Sequence, residues 1–241
     1  MTSLLLITST IAPSKGVPNL ARTDPSERLK DYQRAFGFYL QALDRGDVDA
    51  IVYVDNSGFD LSSLQQMAGS KRVEFISYRS EIPADNNRFF LEAHLIEHFL
   101  DNSQFLRATP DAHIWKVTGR YIIRNFRRIV RGCPESRDIC INLRNRPIPT
   151  VDFYLVRFRQ DAYRKLVTSR LSSFAGLQDD ERALRKVIDA TKDKRILRRL
   201  PATPRIDGVR GWDGSTYDGL KGTIKYYARA ACASLLPFVW I

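Results

Sequence analysis

Several stretches of the sequence set polar, charged and glycine residues at spacings that could do chemistry. Val54-Asp55-Asn56-Ser57-Gly58-Phe59-Asp60 follows a β-prone apolar run. An acidic side chain at such a strand end can accept hydrogen bonds from a ribose or a base, and the turn and helix N-terminus behind it offer backbone N–H groups. The same residues also suit an ordinary turn, with Asp60 as a helix cap. In Trp115-Lys116-Val117-Thr118-Gly119-Arg120-Tyr121, Lys116 and Arg120 supply fixed positive charge for a diphosphate, and Gly119 would let backbone approach a ligand closely. Charge develops on a leaving nucleoside diphosphate, so cations beside it would act in the transition state. The plain alternative is a solvated turn carrying surface cations.

Glu92, Glu97 and, more distantly, Asp152 are carboxylates on or near elements facing the same strand ends, where a general base for an acceptor hydroxyl belongs. Helical spacing puts Glu92 on the face of Ile96, which favours its partial burial, and turns Glu97 toward solvent. His94 and His98 stand four residues apart, yet no HExxH pattern surrounds them. Asp207 to Tyr217 is a Gly-rich loop in which Arg210, Trp212 and Tyr217 could touch phosphate or sugar. It follows no predicted strand, so it is not a dinucleotide fingerprint, and a linker to the C-terminal tail is the other reading.

The elements that must position these residues alternate. Leu4 to Ile7, Ala50 to Val54 and Val73 to Tyr78 are predicted strands; Pro25 onward, the region after Asp60, and Asn87 to Leu100 are predicted helices. Asp24 or Ser26 can cap the first helix, and Gly46 lies past its end. Such units form a Rossmann-like half, which gathers ligands at the carboxyl ends of its strands. Further on, Ala112 to Val117 reads as a strand, Arg120 to Val130 as a short basic helix, Asp138 to Leu143 as a strand, and Val151 to Phe158 as an exposed or edge strand. Helices are expected near Asp161 to Phe174 and over Asp179 to Ala190, then a basic helix start at Lys225 runs into an apolar end.

The chain has 241 residues, 44% of them apolar, enough for one substantial core and a tail. Alternating strands and helices argue for an α/β layer architecture. Lys and Arg total 38 against 27 Asp and Glu, a net charge of +11 that draws phosphates of some kind. Cys133, Cys140 and Cys232 are an odd count without CxxC or Cys/His spacing, which points to neither a disulfide framework nor zinc and fits a reducing compartment. Leu4 to Ile7 is too short for a signal peptide, and no run is long enough for a membrane span.

Leu6-Ile7-Thr8-Ser9-Thr10-Ile11, Arg28, Val54 to Gly58, Glu92, Ile114 to Tyr121 with Asn125, and the Gly208 to Tyr217 loop occur in an order that resembles bacterial glycosyltransferases of surface polysaccharide synthesis. The likeness extends over most of the chain, and Lys-x-Thr-Gly-Arg-Tyr is its most specific part. The resemblance implies a GT-A-like Rossmann-type domain over residues 1–206, its mostly parallel sheet flanked by helices, and a loop and amphipathic tail over 207–241. It implies a nucleotide-sugar donor and an acceptor glycan, which a polyprenyl diphosphate lipid would carry. Glu92, Lys116, Arg120 and Asp152 would then serve catalysis. Thr8, Ser9, Thr10, Arg28, Asp55, Asn56, Ser57, Gly58, Thr118, Gly119, Tyr121 and Asn125 would serve nucleotide binding. GT-A enzymes commonly hold Mg²⁺ or Mn²⁺ through Asp-x-Asp; no clear copy stands here, and Asp179-Asp180 is a poor substitute.

Lys221, Lys225 and Arg229 before the apolar end suit a helix lying on an anionic bilayer, which would place a cytoplasmic enzyme peripherally on the inner face of the cytoplasmic membrane. Docking of that helix on the core is the competing expectation. A basic nucleic-acid-binding protein is the rival class, prompted by the arginines around Arg124 to Arg131. No RNP or C₂H₂ pattern accompanies them, and nucleic acid is not the expected partner. A Rossmann-type methyltransferase fits less well, because Thr-Ser-Thr and not a Gly-rich turn follows the first strand.

Overall fold

The computed structural model describes residues 2–14, 17, 20–83, 86–146, 148–176, 180–211, 213–217 and 219–235. Trp212, Asp179 and the apolar end 236–241, to which the sequence reading gave roles, lie outside the described residues. Among the described residues a seven-stranded, mostly parallel sheet flanked by helices forms the centre, as expected of the α/β class.

Strand β1 (Ser3–Ser9) lies inside the sheet, paired in parallel with β2 (Ala50–Asp55) and β4 (His113–Thr118). β3 (Val73–Ser77) extends it beyond β2. On the other side β7 (Thr150–Phe158) runs antiparallel to β4, followed by β6 (Ile139–Arg144) and the two-residue β8 (Ile196–Leu197). The order is therefore β3-β2-β1-β4-β7-β6-β8.

Two helices decide where a ligand can sit. α1 (Pro25–Asp44) starts where Asp24 accepts the N–H groups of Ser26 and Glu27, which satisfies donors the first turn leaves open. Its Tyr32, Ala35, Phe36 and Tyr39 pack on Leu5, Ile7, Tyr53 and Trp115, one face of the sheet. α3 (Arg88–Asn102), capped by Asn87, packs Ala93, Ile96 and Phe99 on Leu4, Leu6, Val52 and Ile114, the opposite face. Alternation along β1 feeds both layers, and each buried Leu or Phe contributes roughly 1.5–3 kcal/mol. With α1 on one face and α3 on the other, the strand order switches sides between β1 and β4, the place beyond whose carboxyl ends α/β sheets of this kind gather ligands.

Other parts differ from the sequence reading. The helix expected over Arg120 to Val130 begins only at α5 (Phe126–Gly132). Before it, β5 (Ile122–Ile123) pairs with β9 (Ile206–Asp207), and the Tyr39 hydroxyl donates to Tyr121 O and accepts from Ile123 N, holding the segment extended. β7 is interior and not an edge strand. Its polar residues are buried with partners: Arg157 donates to the carbonyls of Cys133, Pro134 and Arg137. The helix expected over Asp161 to Phe174 is broken into α6 (Gln160–Leu166), a 3₁₀ turn and α7 (Leu171–Phe174). α2 (Ser62–Ala68) and α8 (Asp180–Ala190) follow the reading, whereas α4 (Gln104–Ala108) was not foreseen. Cys133 and Cys140 are paired with each other, where their spacing had pointed to no disulfide framework.

Candidate active site at the carboxyl edge of the sheet

The reversal between β1 and β4 brings Thr8, Glu92, Lys116 and Thr118 together. Thr8 and Thr118 are register partners, and Lys116 points to the same face two residues earlier. Lys116 is 0% exposed. Its Nζ lies 2.5 Å from Glu92 Oε1 and donates to Phe153 O at 2.7 Å and Thr118 Oγ1 at 3.2 Å. The Thr8 hydroxyl donates to the same glutamate oxygen at 2.8 Å, and Thr118 lies 3.3 Å from it. Burial pushes the Lys116 amine below the usual lysine range, while Glu92 and Glu181 act in the opposite sense.

Glu92 keeps 23% of its side chain exposed. Its contacts with Thr8, Lys116 and Thr118 all fall on Oε1, so among the described residues the carboxylate is gripped on one oxygen and has no partner on the other. Lys116 has no exposure through which to touch a ligand; it holds Glu92.

The Asp55 turn is on the other face of the same edge. Asp55 is buried and both oxygens are committed: Oδ2 accepts from Ser9 Oγ and Ile11 N, and Oδ1 from Ser57 N and Oγ. Four donors fill its acceptor capacity, so Asp55 ties the β1 and β2 loops together. Thr10 donates to Asn56, and Arg28 donates Nε and Nη2 to Thr10 O at 2.9 and 2.6 Å. Gly58, at φ +67°, donates to Tyr78 O and fastens this turn to the segment after β3.

Gly119 serves packing. A Cβ there would stand 2.7 Å from both Ile7 Cγ2 and Thr8 O, so β4 leaves the sheet by pressing its backbone on β1. Arg120 is half-buried beneath the late loop; a Cβ at Gly211 would fall 2.5 Å from its guanidinium. That loop is docked and not a free linker: Ala21 and Arg22 both donate to Gly211 O. Tyr121 meets Tyr217 edge-on at 5.4 Å. Asn125 is elsewhere, bracing the chain through Thr203 O and Arg205 N. Asp152, near the start of β7, is paired with Arg144 at 2.8 Å and accepts from Asn142 at 2.7 Å. Glu97 is held by Thr168 and Arg164 and is largely buried, not solvated as expected. A separate cleft of about 360 Å³ lies between Arg124, Arg205, Tyr217 and Tyr226.

Among the described residues no set of three His, Cys, Asp or Glu side chains is placed to hold a metal ion, and no step is assigned to one. His98 stacks on Tyr78 at 3.6 Å. The residues missed in the sequence are Tyr154 and the Arg144 partner of Asp152. The i, i+2 spacing of Asp152 and Tyr154 was the available signal.

No protein-family profile matches the chain, and no curated protein is significantly similar to it. Among solved structures it is similar to a candidate nucleotide-diphospho-sugar transferase from Desulfovibrio desulfuricans, at 14% identity and TM-score 0.49, over 82% of this chain and 80% of that one. It is also similar to a 4-diphosphocytidyl-2C-methyl-D-erythritol synthase from Anaerococcus prevotii, at 12% identity and TM-score 0.47, over 94% and 97%. A cytidylyltransferase from Leptospira borgpetersenii matches at 14% identity and TM-score 0.44, over 98% and 87%. At these scores the likeness carries no functional argument, which rests on the residues themselves.

Proposed function

We propose that this chain is a glycosyltransferase that seats a nucleotide-activated sugar in the crevice between the carboxyl ends of β1 and β4. The observation that carries the reading is Glu92, partly exposed and gripped on Oε1 by Thr8 and buried Lys116 at the carboxyl edge where β1 and β4 meet. A carboxylate fixed on one oxygen and open on the other is arranged to take the proton of an acceptor hydroxyl. Thr8, Thr118 and the backbone of the Asp55 turn line the donor side, and Lys116 is a positioning residue. Asp152, committed to Arg144, is the weaker base. The acceptor we assign is a glycan of surface polysaccharide on a polyprenyl diphosphate, consistent with exposed Ile224 and Tyr227 beside the cations of the last helix. The reading takes residues 1–206 as catalytic body and 207–241 as covering tail, joined where β9 (Ile206–Asp207) spans the boundary and pairs with β5.

The test is transfer from a panel of UDP-, GDP- and CMP-sugars to lipid-linked acceptors. Glu92→Gln should lower kcat by about 10²-fold or more with donor KM little changed. A Glu92→Gln enzyme at wild-type rate sinks the assignment. Pyrophosphate release from a nucleoside triphosphate and a sugar phosphate, without glycosyl transfer, would replace it by nucleotidyl transfer.

A further inference from the structure

The cleft of about 360 Å³ between β9 and the first turns of α9 (Leu220–Leu235) is apart from the Glu92 edge and has a lining of its own. Small residues leave it open: Gly222 and Thr223 are what α9 presents there, and neither fills the gap. A Cβ at Gly222 would fall 1.8 Å from Tyr217 O, so the helix is seated directly on Tyr217. Tyr217 is fixed in turn, its N–H donating to Gly208 O at 3.0 Å. The volume suits one ring-sized ligand, since ligand pockets begin at roughly 300 Å³.

The described residues that line the cleft combine cations with rings: Arg124 and Arg205, Tyr217 and Tyr226. Backbone bonds set both arginines. Arg124 N–H donates to Arg205 O, and Arg205 N–H to Asn125 Oδ1, each at 2.8 Å. Asp207, the acid among these residues, is buried with each oxygen on a different guanidinium, Oδ1 on Arg34 at 2.9 Å and Oδ2 on Arg124. The Arg205 guanidinium stands 5.8 Å from the centre of the Tyr226 ring and has no carboxylate partner among the described residues. Contact with a ring uses no hydrogen-bond acceptor, so the Arg205 fork of N–H groups remains for an anion.

We infer that this cleft binds a sugar unit bearing an anionic group, a carboxylate or a phosphate. Such a unit offers an anion, an apolar face of C–H groups and hydroxyls. The Arg205 fork takes the anion, the Tyr226 ring covers the apolar face, and the Thr223 hydroxyl donates to or accepts from the hydroxyls. Tyr121 connects the cleft with the Glu92 edge: it follows Thr118 by three residues, and its ring meets Tyr217 edge-on at 5.4 Å. The cleft thus holds an inner acidic unit of an acceptor glycan whose end hydroxyl lies at Glu92. That last assignment rests on the glycosyltransferase reading; binding of the acidic sugar does not.

The experiment titrates the full chain by NMR with methyl glucuronide, glucose-6-phosphate and neutral methyl glucoside. At least one of the two acids should bind about ten-fold or more tightly than the glucoside, and the tighter acid names the anion. Arg205→Gln should weaken that acid about ten-fold, leave the glucoside unchanged and keep the wild-type Tm, since no ion pair is broken. Tyr226→Ala should weaken all three sugars, and Tyr226→Phe, which keeps the ring, should restore them. Arg128→Gln, on α5 outside the cleft, should bind as wild type does. Acid binding lost in Arg205→Gln, with no glycosyl transfer by the unaltered chain, would keep the cleft and remove the transferase reading. Wild-type acid affinity in Arg205→Gln, or an unaltered chain that transfers sugar yet binds neither acid better than the glucoside, overturns the inference.

Discussion

Lys116 Nζ lies 2.5 Å from Glu92 Oε1, the lysine wholly buried and the glutamate partly exposed. The pair carries strain in charge: desolvation disfavours the ammonium, and Glu92, Phe153 O and Thr118 offset that. Removing one partner leaves the other poorly compensated, whereas removing both does not. Lys116→Met should therefore cost roughly 3 kcal/mol, and Lys116→Met with Glu92→Leu less than the sum of the two single changes. Urea unfolding of the set measures this. Additive losses would mean that the two groups do not depend on each other.

Asp55 should behave as a structural tie. Asp55→Asn replaces an acceptor by a donor facing Ser9, Ile11 N or Ser57 N, and is expected to cost about 3 kcal/mol. Thermal unfolding reads it. A stable Asp55→Asn protein that had lost only nucleotide binding would return this carboxylate to the ribose.

Glycines divide by what surrounds them. Gly119→Ala drives a Cβ to 2.7 Å from Ile7 Cγ2 and Thr8 O, with backbone unable to yield, and should cost about 1–3 kcal/mol while disturbing Thr8 and hence Glu92. Gly46→Ala meets nothing within 4 Å and suffers only its positive φ, about 1 kcal/mol. Equal losses in denaturant titration would contradict the packing argument.

The parallel half of the fold was legible because its signals are local: apolar runs at Leu4 and Ala50, a cap at Asp24, a 3.6-residue period through Tyr32, Phe36 and Tyr39. What was not legible depends on distant partners. β7 alternates like an edge strand, yet Arg157 is buried because carbonyls 20 or more residues away receive it. Ile122 and Ile123 follow a helix-like run, but pair with Ile206 and Asp207. At the site, the positions of Thr8, Glu92, Lys116 and Thr118 at one edge followed from strand ends. The burial of Lys116 did not, since nothing local announces that Phe153 O and Glu92 will enclose it.

His113 gives stability a pH slope. Burial first, then Arg157 and Arg159, lower its pKa from 6.5 to about 4, and its Nε2 is buried without a hydrogen-bond partner among the described residues. Between those values the unfolded chain binds the proton and the native chain does not. This contribution is complete above pH 6.5 and is lost as pH falls toward 4, by roughly 1–2 kcal/mol after solvent screening. His113→Leu should flatten that part of the Tm against pH curve. An unchanged slope would place the titration elsewhere.

The exposed face of α9 tests the membrane assignment. Ile224 and Tyr227 are 61% and 58% exposed, and Ala228 and Ala231 continue the stripe at helical spacing beside Lys225. Apolar area of this kind inserts at the headgroup boundary, and each nearby cation adds about 1 kcal/mol on an anionic leaflet. Ile224→Glu with Tyr227→Glu should abolish co-sedimentation with anionic phospholipid vesicles and leave transfer to a water-soluble acceptor intact. Neutral vesicles and high salt should weaken binding of the unaltered chain. Undiminished sedimentation of the double variant would free this face from the bilayer, and self-association lost in the same variant would assign the face to a second copy of the chain.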